Sequence, residues 1–190
     1  MPHARAIVSM LGATAAFAVL TGCAGQQSYD GVLWRQIRGQ QEVTFLALQP
    51  GVPATDAADI AARLSDVVTT WDGSEPPRAI PTTAPASVVY AIEDAGDDGL
   101  GGAVVEFTEF VTSGARPDVP RDDITNSATT YRGPSTVYTC YRWRVVLVAG
   151  SVGDAQMPDY ASGDDPACDP RLVAQLPEDA AHIPTSDLTG

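Results

Sequence analysis

From Ala6 to Leu20 the chain carries no charge and is mostly apolar. That run is shorter than the roughly 20 residues a helix needs to cross a bilayer. Beyond it the hydrophobic pattern becomes periodic. Val32, Leu33, Trp34 and Ile37 recur at helical spacing, with Asp30 placed to cap a short helix and Gly39 to end it. Residues 43–48, Val-Thr-Phe-Leu-Ala-Leu, read as a strand closed by Pro50 and Gly51. A second, stronger helix is predicted over 56–71. Thr55 is its N-cap, Asp56 and Asp59 lie in its first turn, and Ile60, Leu64, Val67 or Val68, and Trp71 form one apolar stripe. Asp72-Gly73 stops it, and four prolines between Glu75 and Ala86 mark an extended loop.

Strands are predicted over 87–92 and 103–111, paired as a hairpin. Val88, Tyr90 and Ile92 share a face of the first, and Ala103, Val105 and Phe107 a face of the second. The strongest strand signal is 137–148. Val137, Thr139, Tyr141, Trp143, Val145 and Leu147 face the core, while Tyr138, Cys140, Arg142 and Arg144 face away. A long irregular stretch, 113–135, precedes it. After it, 169–176 suggests a short helix and 177–190 a poorly ordered tail. These elements predict one small α+β domain over 31–176. A mostly antiparallel sheet of about four strands would carry one main helix on one face.

The start of the chain has a separate meaning. Arg5 and the amino terminus precede the short apolar run, and small residues end it, which is the layout of an export signal. Leu20-Thr21-Gly22-Cys23 resembles the lipobox of bacterial prolipoproteins. The resemblance implies that residues 1–22 are a signal peptide and that the Cys23 thiol takes a diacylglyceryl group before cleavage between Gly22 and Cys23. Residues 23–30 would then be a lipidated cysteine and a short tether, holding the domain close to the extracytoplasmic face of the cell membrane. Two acyl chains anchor stably where one is marginal.

Composition narrows the partners. The formal net charge is −13, and all 11 basic residues are arginine. Such acidity argues against nucleic acid and against electrostatic attraction to an anionic bilayer; the lipid bilayer is engaged through Cys23. Of the three cysteines, Cys140 and Cys168 are left, and export places them where a disulfide forms. They are expected to bond to each other, with two buried free thiols as the alternative. That bond would draw the segment after 148 back over the outer face of the last strand, with Arg142 and Arg144 beside the acidic residues Asp154, Asp159, Asp164 and Asp165.

Candidate chemistry is sparse. The acidic run 93–99 offers Asp94, Asp97 and Asp98 as weak calcium ligands. An EF-hand register on Asp94 puts Gly96 and Val105 where oxygen ligands belong, so a solvated hairpin loop is the plainer reading. Glu106 and Glu109 lie on one strand at odd spacing, on opposite faces, unlike a glycosidase pair. His182, the histidine of the mature chain, sits beside a proline in the tail, a poor place for a general base. Trp143 and the two arginines flanking it alternate in direction, which favours a core role for the tryptophan. No cofactor is expected. The reading that follows is a non-enzymatic envelope lipoprotein, binding or assisting another envelope protein. The alternatives are a small-ligand or envelope-polymer binder and a carboxylate-based hydrolase.

Overall fold

The computed structural model describes residues 31–115, 133–156 and 165–188. The lipobox, Cys23 and the tether lie outside the described residues, as do Asp159, Asp164 and most of 113–135.

The chain opens with a long helix, α1 (Gly31–Ala47), followed by α2 (Ala57–Ser65). The sheet strands are β1 (Thr69–Trp71), β2 (Ala86–Asp97), β3 (Ala103–Thr112), β4 (Val137–Val148), β5 (Ser151–Gln156) and β6 (Ala181–His182). A short helix, α3 (Pro170–Val173), precedes β6, and a 3-10 turn (Thr185–Leu188) follows it. The sheet order is β1-β2-β3-β4-β5, with β6 beside the start of β4. β1 pairs with β2, and β6 with β4, in parallel; the other pairings are antiparallel. The fold is thus a small α+β domain with a mixed sheet rather than four mostly antiparallel strands.

The largest correction concerns 43–48, which is the end of α1 and not a strand. Leu33, Ile37, Gln41, Thr44, Ala47 and Leu48 are all buried and repeat at helical spacing, so one stripe runs the length of the helix. Gly39 does not end it. It lies on the exposed side, where even an added Cβ would touch nothing. The predicted 56–71 helix is also divided. Asp56, rather than Thr55, is the N-cap and accepts from the Asp59 amide at 3.0 Å. The helix ends at Ser65, and Trp71 belongs to the edge strand β1.

β4 has the predicted bounds and faces. Its odd residues join the main core under α1 and α2, with Val89, Val105, Phe107 and Val111. Its even residues point to a second cluster on the other face, where Cys140 packs with Trp71, Val88, Phe110 and Leu172. In β2 the alternation breaks. Ala91 takes a left-handed φ of 52° and the pairing shifts between Tyr90 and Glu93. This bulge sends Ile92 to the helix side while Val88 and Tyr90 stay on the other. Ala149 and Gly150, both at positive φ, make the tight turn into β5.

The chain end is not a loose tail. Ser135 donates from its amide and its hydroxyl to Asp179, at 2.8 Å each. Ile183 and Leu188 are buried in the main core, and Thr185 donates to Asp165 from its amide and its hydroxyl.

Candidate functional site

Two features stand out: a carboxyl buried in the main core and an apolar ridge on the helical surface.

The carboxyl is Glu109. β3 alternation turns it inward with Phe107 and Val111, and it is fully buried. Three donors converge on it. The Thr44 hydroxyl of α1 and the Ser87 hydroxyl of β2 donate to Oε1 at 2.6 and 2.5 Å, and the Trp143 indole of β4 donates to Oε2 at 2.7 Å. Trp143 is held by stacking on Phe107, with ring centroids 5.8 Å apart. Burial outweighs the three hydrogen bonds and pushes the Glu109 carboxyl up to about 7. Both charge states are satisfied, because hydroxyls donate or accept as required. When ionised, Glu109 accepts all three bonds. When protonated, it donates to the Ser87 or Thr44 oxygen and still accepts from Trp143. Ser87 also forms part of the floor of an open groove of ≈ 630 Å³, walled by Gln40, Asp66, Thr70, Arg78 and Pro85.

The ridge is built from the end of α1 and the turn after α2. Phe45 is 40% exposed, Leu46 58% and Val67 49%. α1 presents them because Thr44, Ala47 and Leu48 take the buried stripe, so 45 and 46 must face out. A groove of ≈ 360 Å³ lies between Val43, Leu46, Ala47, Arg63, Asp66 and Val67. Another of ≈ 500 Å³ runs along Arg35, Arg38, Gly39, Glu42 and Phe45. Arg63 crosses from α2 and donates to the Ala47 carbonyl at 3.3 Å, covering the end of α1. Arg38 stacks over Trp34 at 4.8 Å.

The other candidates fall into structural roles. Cys140 and Cys168 form a disulfide with Cα atoms 5.5 Å apart. Asp94 accepts from the Ala57 amide at the start of α2, Asp97 from the Gly99 amide, and Asp98 from the Leu100 and Gly102 amides. The two amides hold Asp98 below the usual carboxylate range. Among the described residues no group of three or more His, Cys, Asp or Glu side chains is placed to hold a metal ion. Glu106 faces away from Glu109 and pairs in register with Arg144. His182 packs its ring on Tyr138, with centroids 5.4 Å apart. Trp143 is a core residue, and its arginine neighbours lie on the opposite face.

Glu109 was visible in the sequence as an inward position, since it shares parity with Phe107. Of its partners, Trp143 is inward by the same alternation, whereas the local pattern around Thr44 reads as a strand and does not bring it to the carboxyl. No family model, curated protein or solved structure matches the chain. Among the described residues no helix is long and apolar enough to cross a membrane.

Proposed function

We propose that this protein is a lipid-anchored envelope lipoprotein whose domain is a non-enzymatic binding module, docking another envelope protein through the outer face of α1 and the α2–β1 turn. The anchoring half of the proposal stands on Leu20-Thr21-Gly22-Cys23 and the uncharged run before it. The docking half stands on one observation. In a strongly acidic chain, Phe45, Leu46 and Val67 form an exposed apolar ridge, bordered by Arg35, Arg38 and Arg63 together with Glu42 and Asp66. Clustered apolar side chains rimmed by polar ones are the usual mark of a protein contact. The complementary partner offers apolar side chains ringed by polar groups of both charges, with carboxylates opposite Arg35, Arg38 and Arg63. The polar groove above Ser87 favours a second reading, an envelope polymer rich in hydroxyl groups, laid between Gln40, Thr70 and Arg78.

The chain has no lysine, so amine crosslinkers are of little use and a photoactivatable residue at Leu46 is the suitable probe. Leu100, 93% exposed in the β2–β3 turn, is the control position. One protein adduct from position 46 and none from position 100 is the expected result in cells. Adducts only to lipid or glycan, or none, would overturn protein docking. Cys23→Ala tests the anchor separately: it should abolish acylation and leave the chain uncleaved.

A further inference from the structure

We infer that Glu109 is a proton-operated fastening that seats the second half of α1 on the sheet, and so controls the docking ridge that α1 carries. The inference rests on the docking reading for its consequence, but not for its physics.

The Thr44 hydroxyl ties α1 to the carboxyl, and Thr44 immediately precedes Phe45 and Leu46. Loss of the Thr44 contact therefore frees the part of the helix that displays the ridge. Beyond Thr44 this end is held by the core packing of Ala47 and Leu48 and by the Arg63 bond to the Ala47 carbonyl at 3.3 Å, contacts that do not depend on the charge of Glu109. The groups facing Glu109 are few. Thr44 and, one turn earlier, Gln41 come from α1; Ser87 comes from β2; Tyr141, its register partner, and Trp143 come from β4. Among these there is no basic side chain and no second carboxylate. On α1 itself, Arg38 and Glu42 are exposed on the opposite side. Among the described residues, an ionised Glu109 thus has hydrogen bonds and no counter-ion. Seated, α1 favours the protonated acid. Lifted, it lets water reach the carboxylate, and Ser87 already borders an open groove.

The direction follows from the two protonation equilibria. The folded carboxyl titrates at about 7 and the hydrated one near 4.5. Opening of α1 therefore becomes easier as pH rises, by about 30-fold between pH 5.5 and 8.5. Amide hydrogen exchange on the purified mature chain reads this directly, once rates are corrected for intrinsic pH dependence. The amides of 44–48 should exchange through an opening smaller than global unfolding, insensitive to low urea, with about 30-fold less protection at pH 8.5 than at pH 5.5. Glu109→Gln reproduces the protonated acid, its amide NH2 facing the two hydroxyls and its carbonyl facing Trp143, and it should remove the response.

Three results would overturn the fastening: no pH response in the wild-type chain, a response that persists in E109Q, or α1 amides that share the protection and urea dependence of β4. The wild-type series stands even if E109Q misfolds. Crosslinking from position 46 at the two pH values then separates the two ideas. A yield higher at pH 5.5, with the difference lost in E109Q, supports control of docking. A yield indifferent to pH while exchange responds overturns that control, and the absence of any protein adduct is a failure of the docking reading alone.

Discussion

Glu109 makes stability depend on pH in an unusual direction for a carboxylate. Its folded value of about 7 lies above the ordinary 4.5, so the folded state holds the proton more tightly than the unfolded chain. The stability it contributes is complete below about pH 4.5 and lost as pH rises through about 7. Between pH 5.5 and 8.5 the loss is about 2 kcal/mol. Urea unfolding should show a higher midpoint at pH 5.5 than at 8.5, and Glu109→Gln should level the two. The exposed carboxylates work the other way. Asp98, held low by the Leu100 and Gly102 amides, and Asp179, held low by the Ser135 amide and hydroxyl, favour folding above their unfolded values and release that gain in acid. The stability optimum therefore falls on the acid side of neutrality. At the same site Trp143→Phe keeps the stacking face toward Phe107 but leaves Oε2 without its donor. It should cost about 1–3 kcal/mol, and a thermal melt at pH 8.5, where the carboxyl is charged, should show the larger drop.

At the scale of elements, α1 shows what local pattern can and cannot convey. Val43 and Thr44 are β-branched and sit among apolar neighbours, which reads as strand in a short window. The structure makes them helical because the buried stripe from Leu33 to Leu48 extends past Gly39, and tertiary burial prevails over a glycine and two poor helix formers. The same local pattern hides the Glu109 cluster, since Thr44 meets the carboxyl from the buried stripe of α1. β4, by contrast, was legible to its bounds, because a twelve-residue run of β-branched and aromatic residues, with Arg142 and Arg144 alternating against Tyr141, Trp143 and Val145, admits one pleat. The bulge at Ala91 was not, since no glycine marks it and the left-handed turn is imposed by pairing on both sides. The α1 interpretation has a direct check. With nothing within 4 Å of an added Cβ at Gly39, Gly39→Ala should stabilise the fold by roughly 0.5–1 kcal/mol. A strand or loop at that position would give no such gain, so an unchanged or lower melting temperature would count against a continuous α1.

Over the whole molecule, the sheet separates two cores with different means of closure. The inner one is covered by α1 and α2 through apolar packing. The outer one is smaller, and its cover is a thin layer of α3 and loop held by a few discrete ties. Arg171 lies over Trp71 at 4.3 Å and donates to the Gly73 carbonyl, the Asp169 amide donates to the Tyr90 hydroxyl, the Ile80 amide donates to Gln175, and Cys168 is bonded to Cys140. Only the last is covalent, and it closes a loop of 28 residues. In the chain-entropy picture such a loop contributes about 3–4 kcal/mol, more than the exposed Arg171–Asp169 pair can add. Reduction should therefore act unevenly. The amides of Leu172 and Val173 should lose most of their protection while β3 and the Glu109 network stay closed, and the pH response of α1 should survive. If reduction instead frees α1 and α3 together, the two layers unfold as one unit and the sheet does not insulate them. If the chain is exported, as proposed above, its surroundings are oxidising and keep this bond closed. On this reading the disulfide secures the outer layer, and proton uptake at Glu109 governs the inner one.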